Sequence, residues 1–253
     1  MRLLAAGSTD RGPRAVNQDA LFVDVELGLL VVADGMGGHK AGEVASKMAV
    51  DAVVEFVRAT HGGREITWPY PFDPSRSRAF NRLDAALRLA NRAVHDAGER
   101  SRAHAGMGTT IVATLIEGSG IVLGHVGDSR AYVLRGGRLR QMTADHTLLN
   151  ALGGSANLDH AMRHVLTNGI GMEPDLAPAL AEEALVAGER WLLCTDGVHG
   201  YLELADLQAA LGATSAQDAA NDTVRRALRA GTADNVTAVV LNVDPNGDGS
   251  GRV

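Results

Sequence analysis

Residues 29–58 read LLVVADGMGGHKAGEVASKMAVDAVVEFVR and contain three consecutive patterns. Residues 29–33 form a short apolar run that predicts a buried strand. The glycines of residues 35–42 predict a turn in which the backbone approaches a ligand closely. From Gly42 to Arg58, apolar residues recur at steps of three and four, which predicts an amphipathic helix. This strand–turn–helix unit places Asp34 at the end of the strand, beside the turn.

Outward from this unit, helix-like and strand-like patterns come in blocks. Further helices are predicted around residues 80–94, 204–211 and 217–229, and strands at 21–25, 109–116, 121–126, 131–134, 184–186, 191–195 and 236–243. Helices followed by a long run of strands and then more helices favour an α+β fold over strict βαβ alternation. We therefore predict two antiparallel β-sheets packed as a sandwich and flanked on both sides by antiparallel helix pairs, an α-β-β-α arrangement.

The organisation along the chain is predicted to be simple. We expect one domain over residues 1–244 and a frayed tail at 245–253. The strand pattern is lost at residues 147–166, and we predict a short flap-like insertion there. Loops beside a rigid site usually carry substrate selectivity, so this insertion is expected to do the same.

Composition excludes several classes of protein. The 253 residues are 45% hydrophobic and 21% charged, which is typical of a globular protein. A net charge of −6 disfavours binding to nucleic acid or to anionic membranes. The chain contains one cysteine, Cys194, which excludes an internal disulfide and a four-cysteine zinc site. The beginning of the sequence does not read as a signal peptide, and we expect a cytoplasmic protein.

Four aspartates share one position in the predicted pattern, at a strand end next to a glycine or a turn. They are Asp34, Asp128, Asp196 and Asp234. Each one alone is explained by ordinary turn chemistry. Four together favour a site at one rim of the sandwich, where converging carboxylates select Mg²⁺ or Mn²⁺.

Other phosphate-binding, catalytic and metal-binding motifs fail on their spacing. The dinucleotide pattern G-x-G-x-x-G breaks at Lys40, and no G-K-[ST] phosphate loop is present. The nucleophile elbow G-x-S-x-G is not met around Ser129, because position 131 is alanine. A calcium loop suggested by residues 244–249 lacks its glutamate. A nucleotide-binding α/β protein is therefore not favoured.

Seven short motifs carry a resemblance to a known family. They are DRGPRAVNQD at 10–19, DGMGGH at 34–39, GMGTT at 106–110, GDSRAY at 127–132, TADHT at 143–147, TDG at 195–197 and DNVT at 234–237. In this order, over about residues 5–243, the chain resembles the metal-dependent serine/threonine protein phosphatases of the PPM (PP2C-like) family, in their bacterial form.

The resemblance implies a centre of two tightly bound Mn²⁺ or Mg²⁺ ions. By the family pattern, Asp34 bridges both ions, and Asp196 and Asp234 hold one of them. The backbone carbonyl of Gly35 helps to hold the other ion. Asp19 acts nearby, directly or through bound water.

The same resemblance implies three further roles. Asp128, together with Asp196, corresponds to a third and weaker metal site. Arg14 corresponds to the arginine that clamps the substrate phosphate, and Arg11 is the rival in the same stretch. A guanidinium suits phosphate because it donates two parallel hydrogen bonds. His39 follows the metal-binding turn and is a candidate for assisting the leaving alkoxide.

The implied function is hydrolysis of phosphoserine and phosphothreonine in proteins, by in-line attack of a water that bridges two metal ions. The implied partners are phosphoproteins, a cognate bacterial Ser/Thr kinase and its substrates, with no nucleic acid and no membrane, and we expect a monomer. The alternative is a catalytically weak relative that acts as a phosphoprotein-binding regulatory module. Asn168, where many relatives place arginine, and the short insertion at 147–166 concern substrate recognition.

Overall fold

The computed structural model describes residues 1–38, 41–63, 67–153, 162 and 165–245. The strands are β1 (Arg2–Asp10), β2 (Asp19–Asp24), β3 (Leu29–Met36), β4 (Gly108–Thr109), β5 (Ile111–Glu117), β6 (Gly120–Val126), β7 (Arg130–Arg135), β8 (Arg138–Gln141), β9 (Ala179–Ala184), β10 (Arg190–Cys194) and β11 (Val236–Asp244). The helices are α1 (Ala41–Thr60), α2 (Arg78–Arg100), α3 (Leu148–Ala151), α4 (Asp196–His199), α5 (Leu204–Ala210) and α6 (Ala216–Arg229).

These strands form two sheets. One sheet has the order β1-β11-β10-β7-β8, and the other has the order β2-β3-β5-β6-β9 with the short β4 paired to β3. Every strand pairing in the described ranges is antiparallel. Helices α1 and α2 pack on the β3 sheet, and α5 and α6 pack on the β11 sheet. The predicted α-β-β-α sandwich is confirmed.

Strand β3 shows why its sequence is apolar along its whole length. Side chains alternate between the two faces of a strand. Leu29 and Val31 accordingly pack against α1 and α2, whereas Leu30 and Val32 pack between the two sheets. All four side chains are buried. Both faces of the strand are thereby packed. Asp34 lies near the end of the same strand, at the rim of the sandwich.

Two strands at the sheet edges differ from the sequence prediction. The strand expected at 184–186 is wrong, because the ladder with β6 runs over Ala179–Ala184. This edge strand exposes Glu182 and leaves Glu183 part-exposed, so its apolar signal is weak. Strand β1 was not predicted at all, since Ala5, Ala6 and Gly7 carry little strand propensity. It forms because it pairs with β11 along its full length.

Two smaller differences concern the middle of the chain. The strand predicted at 109–116 is interrupted at Thr110, so that β4 and β5 are separate. Strand β8, with the sequence RLRQ, is polar and was not predicted. It pairs with β7 through a turn at Gly136 and Gly137, which both have positive φ.

The predicted insertion at 147–166 has its two ends side by side. Thr147 and Leu166 form an isolated β-bridge, and the Leu148 N–H donates to the Val165 carbonyl at 2.8 Å. Helix α3 lies just inside this closure. Residues 154–161 and 163–164, and the predicted tail from 246 onward, lie outside the described residues. Among the described helices, none is both long and apolar enough to cross a bilayer.

Candidate active site

Five aspartates meet at one edge of the sandwich. Asp34 lies near the end of β3, and Asp19 begins β2 opposite it in the strand register. Asp128 follows β6, Asp196 begins α4 directly after β10, and Asp234 precedes β11. Apart from Asp19, these aspartates line one cavity of about 540 Å³, together with Arg14 and Gly35 among others. The structure thus brings together the acidic residues that the sequence singled out.

Burial and mutual repulsion make this cluster costly without a compensating charge. Burial raises the pKa of Asp34 well above its usual range, and the nearby carboxylates of Asp19 and Asp196 raise it further. Burial raises the pKa of Asp19 to about 7, against the hydrogen bonds from threonine hydroxyls that lower it. Burial and the charge of Asp196 raise the pKa of Asp128 to about 7. A bound cation is the ordinary way to offset such repulsion.

The donor set fits a hard divalent cation. Asp19 Oδ1 is buried and makes no hydrogen bond within the described chain, while its Oδ2 accepts from the Thr195 hydroxyl at 3.0 Å. The candidate donors are carboxylate oxygens and one backbone carbonyl, which suit Mg²⁺ and Mn²⁺ and not zinc. A buried carboxylate oxygen that lacks a donor is therefore matched to a cation.

The carboxylates do not yet surround one point. Among the described residues, no three histidine, cysteine, aspartate or glutamate side chains are placed to hold an ion as they stand. Two of the carboxylates are engaged with other groups: Asp234 Oδ2 accepts from Arg14 at 2.7 Å, and Asp34 is hydrogen-bonded to Asp196.

Of the two rival arginines, Arg14 is the one in the cavity. Its Nη2 donates to Asp234, and its Nε donates to the Ala233 carbonyl at 2.9 Å. The side chain is 53% exposed, so part of the guanidinium faces solvent at the rim. Arg11 instead reaches the Ala15 carbonyl at 3.4 Å and does not line the cavity. The structure places Arg14 beside the acidic cluster, and its phosphate-binding role stays a prediction.

Two glycines allow the end of β3 and the start of α1 to lie close together. A Cβ atom at Gly35 would lie 2.0 Å from the Gly42 carbonyl oxygen and 2.7 Å from that of Gln18. A Cβ at Gly42 would in turn lie 2.7 Å from the Gly35 oxygen. Glycine is thus required at both positions to bring the start of α1 against the end of β3.

His39 lies outside the described residues, and its role stays a prediction.

Several supporting residues were given no role by the sequence reasoning. The Thr110 hydroxyl accepts from the Asp34 N–H at 3.2 Å and shares a 2.7 Å hydrogen bond with the Ser129 hydroxyl. The Asn235 amide donates to the Arg11 carbonyl at 2.8 Å and to the Val16 carbonyl at 3.0 Å, which holds the loop that carries Arg14. Thr110, Ser129 and Asn235 lie inside the quoted motifs, and that position was the available signal.

His199 is a further residue that was missed. Its Nε2 lies 3.0 Å from the backbone oxygen of Asp128. Burial lowers the pKa of His199 to about 4, so the imidazole is neutral at pH 7. A single histidine in a short turn carries no recognisable signal, and only the three-dimensional contact reveals it.

The acidic cluster predicts how stability of the metal-free protein depends on pH. The folded-state pKa values of Asp19 and Asp128, about 7, lie above the unfolded value near 4. The folded state therefore binds protons more tightly, and stability rises as pH falls through 7. We expect a higher melting temperature at pH 6.5 than at pH 8 in EDTA, measured by circular dichroism. The lowered pKa values of His125, His146 and His199 act in the opposite sense, because the unfolded state takes up their protons as pH falls toward 6.5. A melting temperature that is higher at pH 8 than at pH 6.5 contradicts the aspartate shifts as the larger effect.

Comparisons with known proteins identify the family. Residues 6–231 match the family model described as Protein phosphatase 2C. The chain is 34% identical over 245 residues to the serine/threonine protein phosphatase PstP of Mycobacterium tuberculosis, which covers 94% of this chain and 44% of PstP. The chain thus spans less than half the length of that relative. It is 31% identical over 224 residues to the serine/threonine phosphatase stp of Listeria innocua, covering 84% of this chain and 83% of stp.

Solved structures show the same fold. The catalytic domain of PstP in complex with two manganese ions superimposes with a TM-score of 0.82 at 34% identity, over 96% of this chain and 98% of that chain. The serine/threonine phosphatase Stp1 of Staphylococcus aureus superimposes with a TM-score of 0.79 at 28% identity, over 96% of both chains. These similarities cover 96% of the chain in both cases.

Proposed function

Because the chain belongs to the protein phosphatase 2C family, we propose that it is a metal-dependent enzyme that hydrolyses phosphoserine and phosphothreonine in proteins. The observation that carries this proposal is the placement of Asp34, Asp128, Asp196 and Asp234 around one cavity with Arg14 at its rim. Carboxylates for cations and a guanidinium for phosphate are the two parts that phosphoester hydrolysis requires.

We propose that two divalent cations bind at this edge. Asp34 would contact both, Asp196 and Asp234 would hold one, and the Gly35 carbonyl would help to hold the other. Asp19 would act nearby, directly or through bound water. When bound, the ions neutralise phosphate charge and activate water. The buried Asp19 oxygen without a donor and the raised pKa values of Asp19 and Asp34 support this assignment. The family includes a structure that holds two manganese ions.

Arg14 is proposed to bind the phosphate. Its guanidinium presents several N–H donors in one plane, and the structure uses two of its nitrogens, on Asp234 and Ala233. A cation that bound Asp234 would free the Arg14 Nη2 donor for phosphate. The Arg14–Asp234 pair would thus support both cation and phosphate binding.

A third and weaker cation is proposed between Asp128 and Asp196, in addition to the tight pair. Asp128 and Asp196 line the same cavity, and the charge of Asp196 raises the pKa of Asp128. Asp128 lies on a different strand end from Asp34, so a cation there has fewer protein ligands and more water. Few protein ligands imply weak binding.

Replacing Asp128 by alanine separates this cation from the tight pair. We expect Asp128→Ala to fold normally and to keep tight Mn²⁺ binding by calorimetry, because Asp34 and Asp234 are unchanged. Turnover is expected to fall at least 10-fold even at high Mn²⁺, since the third cation loses a charged ligand, a change on the scale of a lost charged contact. Loss of the tight binding in this variant contradicts the assignment.

The proposed substrates are proteins phosphorylated by a Ser/Thr kinase. The described ends of the 147–166 insertion contribute Val165 and Leu166 to the cavity, and Met172 adds a further apolar side chain. Asn168 donates to the Ala177 carbonyl at 3.3 Å and so supports the loop that follows. These apolar side chains line the same cavity as the carboxylates and suit contact with the peptide that carries a phosphorylated residue. We propose that they contribute to recognition of that peptide.

The test is phosphate release from a phosphothreonine peptide in the presence of Mn²⁺. We expect hydrolysis that EDTA abolishes and added Mn²⁺ restores, and slower hydrolysis of a matched phosphotyrosine peptide. p-Nitrophenyl phosphate, which needs no peptide contacts, reports on the metal centre alone. Binding of the phosphopeptide without hydrolysis at saturating Mn²⁺ favours the regulatory-module alternative and contradicts the proposal.

A further inference from the structure

His199 joins the two protein segments that carry Asp128 and Asp196. Asp196 is the first residue of the short α4 turn, and His199 is the last. The His199 side chain reaches across to the turn after β6, where its Nε2 lies 3.0 Å from the Asp128 backbone oxygen. A carbonyl oxygen only accepts, so Nε2 carries the proton and donates.

The other hydrogen bonds of the Asp128 turn lead elsewhere. The Ser129 hydroxyl bonds to Thr110, between β4 and β5. Gly127 exchanges two bonds with His146: its N–H donates to the imidazole Nδ1 at 3.3 Å, and its carbonyl accepts from the His146 N–H at 3.0 Å. These contacts hold the turn to its own sheet and to residues 143–147. The His199 bond links the turn to α4.

We propose that His199 is a positioning residue that fixes the separation of the Asp128 and Asp196 carboxylates and thereby sets the affinity of the third cation. The inference rests on the proposed function, since that cation is part of it. The bonded oxygen belongs to Asp128 itself, so any shift of that peptide moves the Asp128 side chain. His199 contacts neither cation nor phosphate in this account and acts only through Asp128.

Two substitutions isolate the donor from the bulk of the side chain. His199→Leu keeps apolar volume and removes the N–H donor. His199→Gln places an amide N–H at a similar reach and is expected to restore the bond. His95→Leu is the matched control, because His95 lies on α2. Its Nδ1 lies 3.8 Å from Asp96 Oδ1.

The measurement is a Mn²⁺ titration of the full chain, followed by electron paramagnetic resonance of the free ion, which counts bound ions without turnover. We expect His199→Leu to bind the two tight ions as wild type does and to weaken the third roughly 3- to 10-fold, as for one lost hydrogen bond. The Mn²⁺ concentration that half-saturates p-nitrophenyl phosphate hydrolysis should rise equally. His199→Gln and His95→Leu should follow wild type.

A double-mutant cycle tests whether the effect passes through Asp128. In an Asp128→Ala background, His199→Leu should weaken Mn²⁺ binding no further, because the carboxylate that it positions is gone. Additive losses overturn the inference, as does a His199→Leu variant with wild-type binding of the third ion, whatever its melting temperature. A Gln variant as weak as the Leu variant also overturns it, because the donor is then not the cause.

The wild-type titration separates this inference from the proposed function. If the wild-type chain binds no Mn²⁺ and releases no phosphate, the proposed function fails and the inference fails with it. If the wild-type chain binds three ions and hydrolyses phosphate while His199→Leu is unchanged, only the inference fails.

Discussion

Asp34→Asn is expected to lower kcat for p-nitrophenyl phosphate by several orders of magnitude while the protein stays folded. Burial, together with the charges of Asp19, Asp196 and Asp234, raises the pKa of Asp34 well above its usual range. It is the proposed contact to both tight cations, so its charge is lost from both at once. Asparagine keeps the volume of the side chain, and the fold around β3 should be preserved.

The measurement pairs steady-state kinetics with Mn²⁺ calorimetry. Asp51→Asn, an exposed residue of α1, is the matched control for the loss of one aspartate charge and should behave as wild type. Asp34→Asn should also lose tight Mn²⁺ binding. An Asp34→Asn protein with wild-type turnover and wild-type Mn²⁺ affinity contradicts the assignment of the metal centre.

Arg14→Ala is expected to lose about 2–4 kcal/mol of transition-state stabilisation, which is the scale for removal of a charged donor. This corresponds to a decrease in kcat/KM of roughly 30- to 800-fold. Tight Mn²⁺ binding should be unchanged or slightly stronger, because Asp234 loses the arginine that it bonds at 2.7 Å.

Arg11→Ala is the matched control for Arg14→Ala. The Arg11 side chain is exposed and bonds only the nearby Ala15 carbonyl among the contacts described, so kcat/KM should change at most a few-fold. A larger decrease in kcat/KM for Arg11→Ala than for Arg14→Ala, measured at saturating Mn²⁺, contradicts the assignment of Arg14 as the arginine that binds the phosphate.

The sequence predicted the layers of the fold because its strong patterns are those of buried elements. Strand β3 and helix α1 are apolar on the faces that pack, and each was located within a few residues. Strands β1 and β8 were missed because they lie at or near sheet edges, where polar or small residues are tolerated. Pairing with β11 and β7, and not local propensity, makes them strands.

The sequence predicted the aspartates of the candidate site but not the residues that support them. Aspartates at strand ends carry a signal in one dimension, because strand ends converge at the rim of a sandwich. The contacts of His199 with Asp128 and of Thr110 with Ser129 join segments far apart in sequence. No periodicity or spacing encodes such a contact. The Arg14–Asp234 pair is a similar case, since its members are 220 positions apart in the sequence.

The most direct test of the account is anomalous diffraction at the manganese edge from crystals of this chain grown with Mn²⁺. We predict two strong peaks at the acidic edge, both in contact with the Asp34 carboxylate. Asp196 and Asp234 are predicted to contact one of these two peaks. A third, weaker peak is predicted between Asp128 and Asp196. A single strong peak, or two strong peaks of which neither contacts Asp34, would contradict the proposed centre of two cations at Asp34.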